Sequence, residues 1–131
     1  EKKRNSVLDG VPISLPALLR ARRIQEKAAS IGFDWDKKEQ VLLKLDEEVQ
    51  ELKDAIKDNS GINEELGDVL FTIVNLSRHL GYNPESSLNL SVKKFTKRFK
   101  TIEKELRKKK INMLDLSLNE LDEIWEKNKQ K

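Results

Sequence analysis

Apolar residues recur along most of this chain at intervals of three and four, and hardly anywhere in strict alternation. Between Lys37 and Lys57, the positions Val41, Leu42, Leu45, Val49, Leu52 and Ile56 follow the 3.6-residue period and predict an amphipathic helix. A second stripe of Leu66, Val69, Leu70, Ile73, Leu76 and Leu80 predicts another from Ile62 to Leu80. Asn59, Ser60 and Gly61 separate the two, and Gly81 ends the later one. Upstream, Ser14 as cap and Pro16 in the first turn predict a helix running to Ile31, stopped by Gly32. Downstream, Asn83-Pro84 opens a helix that continues to about Lys109. Ser117 and Glu120 have capping-box spacing before a short last helix, Leu118 to Asn128. The expectation is an all-α fold of four principal helices plus a short C-terminal one over residues 14–131, with an arm or linker at 1–13. Gly32-Phe33-Asp34-Trp35 reads as a loop whose two rings anchor into the core, and Phe95 and Phe99 also read as core residues.

Composition narrows the chemistry. A length of 131 residues suits one domain, and about half of it is Ala, Glu, Lys, Arg and Leu, as in long amphipathic helices. With no cysteine there is no disulfide scaffold, zinc-thiolate site or thiol nucleophile. With one histidine, a Ser-His-Asp triad would have to use His79. No apolar run approaches the roughly 20 residues of a membrane span, and no signal-peptide core opens the chain. A cytoplasmic protein is expected. The chain begins at Glu1 without Met, as expected for a piece of something longer.

Charge is segregated beneath a net value of +3. From Asp34 to Asp68 there are twelve acids against five bases, and from Lys93 to Lys110 ten bases against two acids. Such blocks are either solvated faces or places where anions meet cations. The basic block alone would permit nucleic-acid or partner binding, but it lacks aromatic residues free for base stacking.

The acids carry the sharper signal. Glu48 and Glu51 on one helix, and Glu65 and Asp68 on the next, are each three apart and lie on neighbouring turns of one face. At about 100° per residue, both pairs fall at the edge of their apolar stripes. Antiparallel packing through the short turn would bring them to a shared groove. Carboxylates so placed repel one another unless cations intervene, and oxygen-only ligands suit magnesium, with manganese as a substitute. The plain alternative is two solvated acidic faces. Lys44 lies one turn before Glu48, where it could hold a phosphate or pair with the acid. Asn75, two turns beyond Asp68, could read a ligand with its amide. His79 reads as a partly buried structural residue. Gly67 costs about 1 kcal/mol inside a helix, so close packing against its backbone is expected.

The runs Lys44-Leu45-Asp46-Glu47-Glu48-Val49-Gln50-Glu51-Leu52 and Glu64-Glu65-Leu66-Gly67-Asp68-Val69-Leu70-Phe71 resemble the MazG-type nucleoside triphosphate pyrophosphohydrolases. The resemblance continues through Val74-Asn75-Leu76-Ser77-Arg78-His79-Leu80, Lys94-Phe95 and Arg98-Phe99. It also takes in the upstream Val7–Pro12 and Ser14–Leu19 runs and Gly32-Phe33-Asp34-Trp35, and so covers nearly the whole chain. It is closest to the C-terminal domain of two-domain members. It implies an all-α NTP pyrophosphatase bundle completed by homodimerisation. The implied reaction is magnesium-dependent cleavage of nucleoside triphosphates to monophosphate and pyrophosphate. By position, Glu48, Glu51, Glu65 and Asp68 would be catalytic magnesium ligands. Lys94 and Arg98 would grip the triphosphate, Trp125 would lie near the base or sugar, and Lys129 would add a phosphate contact. Two features depart from relatives: Val92 stands where Asn is frequent, and the connection between the acidic helices is short. Competing expectations are a binding module built on Lys93 to Lys110, and a purely structural dimerisation domain. Membrane and nucleic acid are not expected as partners.

Overall fold

A computed structural model describes residues 5–129, which form five α-helices, with no strand among them. In chain order these are α1 (Ala17–Ala29), α2 (Lys38–Asp58), α3 (Ile62–Leu80), α4 (Pro84–Lys108) and α5 (Leu118–Asn128). A single 3-10 turn, Met113–Asp115, precedes α5. The first four residues of the expected 1–13 arm lie outside the described residues.

Helix ends follow local chemistry. The break between α2 and α3 is three residues long, and both Asn59 (φ 51°) and Gly61 (φ 69°) adopt the left-handed conformation that turns the chain sharply. Asn83 Oδ1 accepts from the backbone N–H of Glu85 at 2.9 Å and so caps α4. Ser117 and Glu120 form the expected capping box on α5. The first helix is shorter than its pattern implied. It starts after Pro16, without a side-chain cap from Ser14, and ends at Ala29. The Gly32 N–H donates to Ala29 O and the Phe33 N–H to Ala28 O, closing the helix two residues before Ile31.

The chain forms two compact units, one ending at Ser87 and the other beginning at Leu88. In the first, α2 and α3 pack along their length as an αα-hairpin, with α1 laid against α3. Its fully buried side chains are Val41 and Val74, and Ala55, toward the other end of α2, is buried as well. In the second, Ile102 and Leu106 of α4 are buried, and Phe95 stacks on Phe99 at 5.8 Å and meets Trp125 of α5 at 5.0 Å.

Several apolar positions depart from expectation. Phe33 is 81% exposed and Trp35 44% exposed, so neither ring is a core anchor. Phe95 and Phe99 are partly exposed members of an aromatic cluster instead of core residues. Nothing lies within 4 Å of where a Cβ on Gly67 would stand, so the expected close packing at its backbone is absent. Leu42, Leu66, Leu70 and Ile73 belong to the predicted stripes yet remain exposed. The periodicity marks apolar faces correctly without saying whether the same chain covers them.

Candidate active site

The hairpin decides where the acids go. The short turn folds α3 back along α2, and positions three apart on each helix then face one another across the groove. Glu48, Glu65 and Asp68 each offer a carboxylate oxygen within 4.8 Å of the others. This is the one such cluster of potential metal ligands among the described residues. Glu48 is buried, Glu65 half-buried and Asp68 exposed, so the cluster is open to solvent on one side.

Glu51 stands just outside this trio and feels it. The Glu48 carboxylate above all, then loss of hydration and Glu65, push its carboxyl above the usual range. Lys44 Nζ lies 3.1 Å from Glu48 Oε1 and 3.5 Å from Glu47 Oε1. Glu48, before all other causes, raises the Lys44 ammonium above its ordinary value. Lys44 thus pairs with the acids, one of the two roles its position allows.

One cation does not satisfy this centre. Glu48 Oε2 and Glu65 Oε2 are buried without a hydrogen-bond partner. Carboxylate oxygens so placed are costly unless a positive group answers them. The donor set is all oxygen, anionic and partly open, which suits a hard divalent ion that keeps some water. The residues therefore fit such an ion.

Beside the acids lies a cavity of about 570 Å³, within the size range of small-molecule sites. Its wall is largely apolar, with Phe33, Trp35 and Phe71 contributing rings. Lys44 lines it while also pairing with Glu48, and Thr72 lines it while donating from Oγ1 to Asp68 O at 2.8 Å. Lys44 is thus the side chain that links the cavity to the carboxylates, none of which lines the cavity itself.

A charge clamp fixes the cavity's outer wall. Arg78 Nη2 and Nη1 donate to Asp34 Oδ1 at 2.6 Å and Oδ2 at 3.0 Å, and Nη2 also donates to Asn75 Oδ1 at 2.6 Å. His79 Nε2 lies 2.9 Å from Asp34 Oδ1. Held chiefly by Arg78, the Asp34 carboxyl falls to about 2. The clamp ties the α1–α2 loop, with Phe33 and Trp35, to the end of α3. His79 is partly buried beside Asp34, and Asn75 lines the cavity with its oxygen already engaged by Arg78.

This acidic hairpin has counterparts in known sequences. A profile of the MazG nucleotide pyrophosphohydrolase domain matches residues 36–103, which include all four carboxylates. The chain belongs to the MazG family. It is 47% identical over 128 residues to the nucleoside triphosphate pyrophosphohydrolase/pyrophosphatase MazG of Thermotoga maritima, covering 98% of this chain and 50% of that protein. It is 38% identical over 134 aligned positions to the nucleoside triphosphate pyrophosphohydrolase of Escherichia coli K12, covering 99% of this chain and 51% of the relative. The uncharacterized protein YabN of Bacillus subtilis is 35% identical over 129 residues. The chain spans about half the length of the first two relatives.

The remaining MazG-type candidates lie in the second unit. Lys94 and Arg98 line a small polar cavity of about 190 Å³ with Lys97, Thr101 and Asn128. The Arg98 guanidinium stands 5.9 Å from the centre of the Trp125 ring, a cation–π contact. Lys129 Nζ pairs with Glu126 at 3.1 Å. Pattern reading missed Gln25. It is a polar residue on an amphipathic helix, with no spacing signal to single it out, yet it is buried and lines the larger cavity.

Proposed function

We propose that this chain is a magnesium-dependent nucleoside triphosphate pyrophosphohydrolase, releasing pyrophosphate and a nucleoside monophosphate. The observation that carries this reading is the convergence of Glu48, Glu65 and Asp68, with two buried carboxylate oxygens lacking partners, beside a ligand-sized cavity. Membership of a family whose relatives bear that activity in their names supports it.

In this reading Glu48, Glu51, Glu65 and Asp68 hold the divalent ion, magnesium or in its place manganese. When bound, the ion supplies positive charge for phosphate oxygens and makes water a stronger nucleophile. The chain's own residues do the rest. Lys44 neutralises one oxygen of Glu48 and keeps the other directed at the cluster. The apolar cavity takes the base, with rings of Phe33, Trp35 and Phe71 as stacking surfaces. Asn75 steadies the cavity wall through Arg78. Lys94 and Arg98 are assigned to the polyphosphate, Trp125 to the neighbourhood of the base or sugar, and Lys129 to a further phosphate contact. Water attacks the α-phosphorus, the bond from that phosphorus to the α–β bridging oxygen breaks, and pyrophosphate leaves with that oxygen.

The functional form is a homodimer. The exposed apolar positions on α3, Leu66, Leu70 and Ile73, are the surface a second copy would cover. Among the described residues no helix is long and apolar enough to cross a membrane, and a cytoplasmic location is in keeping with a nucleotide substrate.

The deciding assay incubates the protein with magnesium and a panel of nucleoside triphosphates and separates the products. Pyrophosphate plus monophosphate is expected. Release of orthophosphate, or the same yield with the ion chelated, overturns the reading.

A further inference from the structure

We propose that Gln25 is a base-selecting residue: its side-chain oxygen accepts a hydrogen bond from an exocyclic amino group, so the cavity favours amino-bearing bases over their keto counterparts. This rests on the reading above, that the base of a nucleotide enters the cavity.

Gln25 is only 6% exposed and lines that cavity from α1. Its Nε2 donates to Phe71 O at 2.9 Å. Because a carbonyl oxygen can only accept, this bond fixes which end of the amide is which. The other end, Oε1, is left buried with no partner. An acceptor shielded from water and unanswered by the protein is costly, and a ligand that brings a donor relieves that cost.

The other carboxylate and amide acceptors of the lining side chains are already engaged. Both oxygens of Asp34 are held by Arg78, and Asn75 Oδ1 accepts from the same guanidinium. Lys44 can only donate, and is paired with Glu48 and Glu47. Gln25 Oε1 is the unpartnered amide acceptor among the lining residues, and the rings of Phe33 and Trp35 supply stacking that does not distinguish one base from another. Two buried polar atoms of the lining residues lack a partner, Gln25 Oε1 and Arg78 Nε, and of these only Gln25 Oε1 can accept from an amino group. Amino and keto groups at the same ring position have similar size and opposite hydrogen-bonding sense. A keto oxygen placed against Oε1 would set two acceptors face to face.

The test compares matched pairs, CTP with UTP and ATP with ITP, through kcat/KM, and the Kd of CMP with that of UMP by calorimetry without divalent ions. The amino member of each pair should be favoured about tenfold, mainly through KM, as loss of one neutral hydrogen bond implies. Gln25→Leu and Gln25→Met should bring the ratios within about twofold. Wild-type ratios within twofold overturn the proposal, and so does a tenfold ratio that survives both substitutions. If no triphosphate yields pyrophosphate, the proposed activity fails on its own. The monophosphate affinities then decide the role of Gln25, a tenfold preference for CMP upholding it and equal binding overturning it.

Discussion

Lys44 Nζ lies 3.1 Å from Glu48 Oε1, while Glu48 Oε2 is buried with no partner among the described residues. One ammonium thus meets half of a carboxylate whose other half belongs to a crowded acidic cluster. Divalent ions should therefore stabilise the fold. At a hundredfold excess over Kd, magnesium should add about 2.7 kcal/mol and raise Tm by several degrees. Glu65→Gln should shrink that shift and raise Tm without the ion, since it removes a repulsive charge. A melt unaltered by magnesium would count against an ion at this centre.

Loss of a single carboxylate should disable turnover while sparing the fold. Glu51→Gln or Asp68→Asn is expected to lower pyrophosphate release about hundredfold or more, with the helical circular-dichroism signal intact. Normal turnover in either variant would place the chemistry elsewhere.

Lys94→Ala and Arg98→Ala should raise KM for triphosphates about tenfold each, the effect of losing a charged phosphate contact. If the basic helix instead served nucleic acid, the wild-type protein would bind DNA or RNA with affinity falling steeply in salt, indifferent to Glu48 or Glu65. Filter binding across a salt series separates the two.

The Asp34–Arg78 clamp makes a pH prediction. Since the folded carboxyl sits at about 2 against an ordinary 3.8, its contribution is complete above roughly pH 4 and disappears as pH falls toward 2. The loop is partly solvated, so screening limits this to about 1 kcal/mol. Asp34→Asn should lower urea stability by that amount at pH 7, and the gap from wild type should close near pH 2. A constant gap would mean the clamp contributes packing rather than charge.

Association should follow from α3. Sedimentation is expected to give a species of twice the 15.2 kDa protomer mass, and Ile73→Glu or Leu70→Glu should return it to the protomer. A protomer-sized species at all concentrations would refute the dimer.

Much of this was readable from residue order. The periods of α2 and α3, the break at Asn59–Gly61 and the Ser117–Glu120 box are local signals, and local physics set those boundaries. The acidic trio was readable as well, because a short turn between two regular helices leaves little freedom in how their edges meet. What escaped depends on tertiary placement. Phe33 and Trp35 are as apolar in a cavity wall as in a core, and only the Arg78–Asp34 clamp distinguishes the two. Gln25 gives no local cue, since its importance lies in a carbonyl 46 positions away. Gly67 read as a close-packing site, but its surroundings are open.

All four carboxylates fall between Glu48 and Asp68, on one hairpin closed by a three-residue bend. Few links of chain separate the two halves, so little loop entropy opposes their meeting. A metal captured there would staple sequence neighbours and leave distant segments untied. Its protection in amide exchange should accordingly be concentrated in this one stretch, with the ends of the polypeptide opening as readily as before.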